Sequence, residues 1–300
     1  LALSATISNA DEFSNWLNAK VISSQWRPVP LKEGVYLDKN MLYQDGSIEN
    51  IPDFSNNSAI NMAIHTVQNQ GQVIIFTKTR REAVSMSKKI SSVIHNHDFT
   101  FKKQNKSISY MKSKMSSTSE PNSITNELIS LIQNKTAYHH AGLTTNQRKT
   151  LEEEFKNGTI KILTATPTLS AGINLPSRNV IITYHDRYSM GQYESISVFE
   201  YKQMAGRAGR PAYDEYGIST LIAKNEENKD YLYKKYILGK PERIESKLGD
   251  ADALEMHLLG LISGKKLLKY IDIIDFFEGT LYSHQENQKK IIMRLNLTLE

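Results

Sequence analysis

The chain has 300 residues, of which 39% are hydrophobic and 23% charged, the balance of a soluble globular protein with core enough for two domains or one large one. Lysine and arginine number 37 against 32 aspartate and glutamate, and the net charge of +5 suits a polyanionic partner without requiring one. Cysteine is absent, which excludes a disulfide scaffold and a thiolate metal site and fits a reducing cytoplasm, and no apolar run reaches the ~20 residues that span a bilayer.

Leu1-Ala2-Leu3-Ser4-Ala5-Thr6 opens without Met and reads as the end of a buried strand, so a piece of a longer protein is expected. Leu299-Glu300 reads equally as a cloning remnant or as native sequence. Phe13, Trp16 and Leu17 have helical spacing over 11–19, with Asn9 or Asp11 as the cap. Trp26-Arg27-Pro28-Val29-Pro30 is expected to be extended, because a residue before proline avoids the helical region. Residues 34–54 alternate weakly and predict a small hairpin turning at Gln44-Asp45-Gly46.

Helical spacing follows over 58–69, a short buried strand over 72–77, and a helix over 80–94. From 95 to 123 lysine, serine and asparagine dominate, as in Lys102-Lys103-Gln104-Asn105-Lys106. This predicts a mobile basic insertion, either a plain solvated loop or a non-specific phosphate contact. Helices are predicted over 124–134 and 146–156, and strands near 137–140, 160–165, 180–183 and 218–222. Strands that alternate with helices predict a parallel sheet covered on both faces. After Pro241 strand signals fade. Leu254, Leu258, Leu259, Leu261 and Ile262 are expected to form one apolar helical face, and Ile271, Ile274, Phe276 and Phe277 another.

The strongest chemical signal is Gln203-Met204-Ala205-Gly206-Arg207-Ala208-Gly209-Arg210-Pro211. Two arginines three apart on a helix share a face, their guanidinium forks match phosphate oxygens, and the glycines admit close approach of another backbone or a ligand. Such a pair can stabilise charge on a transferred phosphoryl group. Thr79, Arg80 and Arg81 open a helix after a strand, which suits either a bound phosphate or simple capping. Thr166 and Thr168 are hydroxyl donors suited to a sugar-phosphate backbone. His139 and His140 are adjacent, so on a strand they point to opposite faces and share one ion poorly; no metal is expected. Around Gly191 a hairpin is predicted, carrying Tyr188, Met190 and Tyr193; it is either an ordinary surface hairpin or one whose aromatic rings stack on bases.

The string at 203–211 resembles motif VI of the superfamily-two helicases, and further matches fall in the family's order. Ser4-Ala5-Thr6 resembles motif III, residues 73–81 motif IV, Tyr138-His139-His140-Ala141-Gly142-Leu143 the motif between IV and V, and residues 164–176 motif V. The wording is that of the Ski-two-like branch. It is similar above all to the archaeal DNA repair helicases that act at stalled replication forks, relatives of the helicase half of DNA polymerase theta. Glu200-Tyr201-Lys202-Gln203 and residues 244–249 support that branch, and the resemblance runs from residue 1 to about 280.

The resemblance implies an α/β fold: a RecA-like parallel sheet with helices on both faces, followed by a partial winged helix. The implied division is 1–30 for the end of a first RecA-like domain and connector, 31–245 for a second RecA-like domain, and 246–300 for the start of the winged helix. It implies the C-terminal motor half of an ATP-dependent 3′ to 5′ DNA helicase. Arg207 and Arg210 would complete an ATP and Mg2+ site held mainly by an N-terminal RecA-like domain, with Gly172 and Asn174 facing the nucleotide, although many helicases carry Asp where Asn174 stands. Gln203 would link that site to the bound strand, and Ser4 and Thr6 would relay hydrogen bonds between the two. Thr79, Arg80, His140, Gly142, Thr166 and Thr168 would hold nucleic acid, and Tyr188, Met190 and Tyr193 would wedge the duplex open. The partners would be single-stranded and forked DNA, the N-terminal motor domain and a C-terminal ratchet domain of the same chain, with no membrane. No Gly-x-x-x-x-Gly-Lys-Ser/Thr phosphate loop and no Walker B box is present, so ATP hydrolysis by this chain alone is not expected. An RNA helicase of the same branch, or a non-catalytic nucleic-acid-binding scaffold, remains open.

Overall fold

A computed structural model describes residues 2–4, 7–24, 26–96, 108–115, 123–169, 175–189, 191–264 and 269–299. The chain forms two compact units: Trp26–Lys240, and a second assembled from Leu1–Gln25 with Pro241–Glu300. In chain order the elements are α1 (Ala10–Trp16), β1 (Leu31–Leu37), β2 (Asn40–Tyr43), β3 (Ile48–Asn50), α2 (Ser58–Gln68), β4 (Val73–Phe76), α3 (Arg80–Asn96), α4 (Ile108–Met115), α5 (Ser123–Gln133), β5 (Thr136–His139), α6 (Thr145–Lys156), β6 (Ile162–Ala165), β7 (Asn179–Ile182), β8 (Asp186–Ser189), β9 (Gln192–Ser195), α7 (Val198–Ala205), β10 (Gly217–Ile222), α8 (Glu226–Leu232), α9 (Ala251–Ser263), α10 (Tyr270–Glu278), α11 (Leu281–Gln285) and α12 (Gln288–Leu299).

The larger unit is built on an 8-stranded sheet in the order β3-β2-β1-β10-β7-β4-β6-β5. From β1 to β5 the neighbours run parallel, and β2 and β3 add an antiparallel edge. The central strands are short and fully buried, as strands covered on both faces must be. Successive side chains leave a strand on opposite faces. Ile74, Phe76, Leu163, Val180 and Ile182 therefore join a core with Leu128, Phe155 and Tyr201, while Val73, Ile75, Ile162 and Ile181 join one with Ile60, Ile64 and Ile90. This is the RecA-like α/β sheet that the motifs imply.

Two local expectations change. The hairpin over 34–54 forms between β2 and β3, but β1 ahead of it pairs with both β10 and β2, so the hairpin extends the main sheet. Gly34–Leu37 are buried on both faces, which erases the alternation that would have marked β1. Within the basic insertion, residues 97–107 and 116–122 lie outside the described residues, but 108–115 are the helix α4, not a loop. Met111 and Met115, four apart on one face, are 4% and 1% exposed and join the core beside Leu128 and Leu151.

The smaller unit contains helices and no strand among its described residues. Its core is Leu254, Leu258, Ile273, Phe277, Tyr282, Ile291 and Leu295. The broad apolar faces expected here are narrower. Leu259 and Ile271 are 70% and 58% exposed, because only the i, i+4 pairs Leu254/Leu258 and Ile273/Phe277 share the inward stripe. Helix α1 stops at Trp16, short of the expected 19, and Asn18 lies at φ +47° beyond it. Asn9 holds the cap position without a side-chain cap bond; it instead accepts from the Ile244 N–H and donates to the Ile244 carbonyl, both at 3.1 Å. Glu12 binds Arg243 at 2.6 and 3.0 Å, and that guanidinium holds its carboxyl down at about 2.

Candidate nucleic-acid and phosphate-facing sites

The parallel strands β4, β5 and β6 end at one edge of the sheet, and the loops that leave them meet there. Thr79, Arg80, Thr166 and Thr168 line one cleft of about 400 Å³ together with Arg187 and Glu200. Thr79 caps α3: its hydroxyl accepts the Glu82 N–H at 3.1 Å, and the Glu82 carboxylate accepts the Lys78 N–H at 3.0 Å. Arg80 is exposed. The Thr166 and Thr168 hydroxyls share a hydrogen bond at 2.9 Å.

His140 and Gly142 sit at the rim of this edge. The Gly142 N–H donates to His140 Nδ1 at 3.1 Å, and the His140 ring stacks on Tyr138 with centroids 5.4 Å apart. Burial, and then the charge of Arg80, pushes the His140 pKa below the ordinary histidine value, favouring the neutral ring that this bond requires.

The β8–β9 hairpin rises beside the cleft, turning at Gly191 with φ +85°. Tyr188 pairs with Tyr193 across it, the rings edge to face at 5.3 Å and 64% and 70% exposed. Arg187 binds Glu200 at 3.2 Å, and Lys78 bridges from β4 to the hairpin, 3.4 Å from Asp186 and 4.6 Å over the Tyr193 ring.

Helix α7 leaves the cleft at Glu200 and runs toward the opposite edge, about 12 Å for its 8 residues. Gln203 is exposed on it. The two arginines lie beyond the helix rather than on it. Gly206 is the C-cap, Ala208 bridges to Ser177, and Gly209 takes φ +92°. The glycines serve close backbone approach: a Cβ on Gly209 would come within 2.7 Å of Val29, and one on Gly217 within 2.4 Å of Ala208. Arg27 clamps the turn, donating to the carbonyls of Gly206 at 3.2 Å and Ala208 at 2.6 Å.

Arg207 is half-buried, and burial lowers its pKa without threatening its charge. Arg210 forks onto Asp214 and donates from Nη1 to Gln72 Oε1 at 2.6 Å. Gln72, which precedes β4, donates to the carbonyls of Phe155 and Ile160 at 2.6 and 2.8 Å. The motif VI arginines thus lie at the N-terminal edge of the sheet, and the threonines, Arg80 and His140 at its C-terminal edge.

Ser4 is exposed and irregular. Thr6, Gly172, Asn174 and Met190 lie outside the described residues. Sequence reasoning missed Arg27, Gln72 and Asp214. Only Asp214, four residues past Arg210, offered a local signal; the other two come from distant segments, ahead of β1 and β4. Among the described residues no helix is long and apolar enough to cross a membrane.

The larger unit is thus a RecA-like sheet with hydroxyl and basic groups at one edge and Arg207 and Arg210 at the other. Residues 100–212 match the family described as the helicase conserved C-terminal domain. Over 95% of its length it is similar to three proteins named ATP-dependent DNA helicase Hel308: 37% identical to that of Methanococcus vannielii, 35% to that of Caldivirga maquilingensis and 37% to that of Pyrococcus horikoshii. The chain spans 38% of the length of each. These similarities agree with the Ski-two-like resemblance carried by the motifs.

Proposed function

We infer that this chain is the C-terminal motor half of an ATP-dependent DNA helicase that moves 3′ to 5′ and acts in DNA repair or at stalled forks, in the cytoplasm. The observation that carries this reading is the two-edged arrangement of the larger unit. Thr79, Arg80, Thr166 and Thr168 converge on one cleft, and α7 connects that cleft to Arg207 and Arg210 at the other edge.

Hydroxyls and a guanidinium along a cleft suit consecutive phosphates of a single strand. Arg207 is oriented by the Arg27-clamped turn and suits the phosphate chain of ATP, which with Mg2+ would be held mainly by the N-terminal motor domain of the whole protein. ATP supplies the free energy of phosphoryl transfer, and an arginine near the departing phosphate stabilises its developing charge. Gln203 lies midway and suits a coupling role. The exposed Tyr188 and Tyr193 suit a hairpin that stacks on the last base pair of a duplex. The smaller unit would begin a winged helix, and a further ratchet domain would complete the grip on forked DNA.

The test is phosphate release by the intact protein with single-stranded DNA or RNA, together with unwinding of forks bearing a 3′ or a 5′ tail. Stimulation by DNA and opening of 3′-tailed forks are expected. Greater stimulation by RNA would move the assignment to an RNA helicase, and no turnover with either would leave a scaffold.

A further inference from the structure

The β8–β9 hairpin has two unlike faces. Successive strand residues point to opposite sides, and a directly cross-strand pair shares one side. Arg187 accordingly faces the threonine-lined cleft, while Asp186 and Tyr193 line a different and larger cavity of about 680 Å³. That cavity opens at the C-terminal ends of β4, β7 and β10, and Lys78, Lys89, His185 and Lys224 also line it.

A second hollow of about 370 Å³ continues from it, sharing His185 and Lys224 and reaching Tyr231. Lys235 stands next, its ammonium 3.0 Å from the Tyr231 hydroxyl and 5.5 Å over that ring. Rings and cations therefore alternate along one path: Tyr193, then His185 with Lys224, then Tyr231 with Lys235. Burial keeps the His185 ring toward its neutral form.

Two of the charges on this path, Lys89 and Lys224, are not used up by the protein. Lys78 is paired with Asp186, and elsewhere Lys88, Lys114, Lys202 and Lys229 are paired with carboxylates. Lys89 and Lys224 have no ion pair among the described residues, although both are exposed at the cavity. Interleaved rings and unpaired cations along a groove are what a single nucleic-acid strand binds without regard to sequence, the bases stacking and the phosphates neutralised.

We propose that this second face of the hairpin is the exit track of the displaced strand. When a duplex opens at the hairpin, one strand keeps to the side of Thr79, Arg80 and Thr166. The other passes over Tyr193, His185 and Tyr231 with its phosphates on Lys89, Lys224 and Lys235. The proposal rests on reading the chain as a DNA motor with a strand-separating hairpin.

The test uses the intact protein on a 3′-tailed fork, with a photoreactive iodinated uracil placed in turn in the displaced strand and in the tracking strand near the junction. Displaced-strand label is expected on the peptide spanning 224–231, and tracking-strand label on the peptide carrying Thr79 and Arg80. Lys224→Glu with Tyr231→Ala is expected to lower displaced-strand labelling about tenfold, since a lost stacking platform alone is worth that order. Normal DNA-stimulated turnover and tracking-strand labelling, with displaced-strand label absent or on another surface, would overturn the track alone. No DNA-stimulated turnover and no labelling from either strand would overturn the motor reading, and the track with it.

Discussion

Arg210 grips Asp214 at two points, Nε to Oδ2 at 2.8 Å and Nη2 to Oδ1 at 2.7 Å, and its own backbone N–H reaches the same carboxylate at 2.9 Å. The Asp214 side chain is 1% exposed, so this guanidinium neutralises a buried charge. Arg207, three residues earlier, is half-buried.

The two arginines should therefore respond differently to removal. Arg207→Ala in the intact protein is expected to lower ATP turnover about a thousandfold, with single-strand binding kept. Arg210→Ala is expected to lower turnover and also to destabilise the fold by about 3–5 kcal/mol, because Asp214 is left buried and unpaired. Turnover assays beside thermal melts decide it: an Arg210→Ala protein with unchanged turnover removes that residue from the ATP site, and one with an unchanged melt removes its structural role.

Gln72 joins Arg210 to the carbonyls of Phe155 and Ile160. Gln72→Met keeps the volume and deletes these bonds. A loss of about 1–3 kcal/mol is expected, read as a lower urea midpoint, since buried polar groups lose their partner. A midpoint equal to that of the unaltered protein would show the bridge to be dispensable.

The backbone crossing behind motif VI leaves no space for a side chain. Gly217→Ala would bring its Cβ within 2.4 Å of the Ala208 backbone and is expected to abolish soluble expression or melt far below the parent. At Gly191, with φ +85° and nothing within 4 Å of a new Cβ, alanine meets only backbone strain of about 1–2 kcal/mol. Equal melting of the two variants would contradict the crossing.

Burial is the leading cause that holds His139, His140 and His185 below the usual histidine value. The unfolded chain takes up these protons near pH ~6.5 and the folded chain only below it. Stability is thus full above that pH and falls as the pH drops through it toward the folded-state values. Denaturation midpoints from about pH 7.5 to about 5.5 should decline, with a flatter decline in His140→Gln, His185→Gln. Midpoints that stay level or rise on acidification would refute this sign.

Tyr188→Ala with Tyr193→Ala tests the hairpin. Fork unwinding should fall while single-strand-stimulated turnover stays, because both rings are exposed. Loss of both activities together would point instead to a folding role for the ring pair.

The order and wording of the motifs were legible in the chain because each one is local: a strand, a tight turn, then a hydroxyl or a guanidinium at fixed spacing. Short apolar runs broken by helical periods were likewise enough for a parallel α/β sheet. Only the tertiary structure decided which charges are spent and which remain. Gln72 meets Arg210 across 138 residues, and Met111 and Met115 turn a lysine-rich stretch into part of the core. Arg187 and Asp186, neighbours in sequence, line different cavities. Burial and pairing depend on which strand ends share an edge of the sheet, and the order that puts β10 between β1 and β7 is set by contacts between distant segments, which local spacing does not encode.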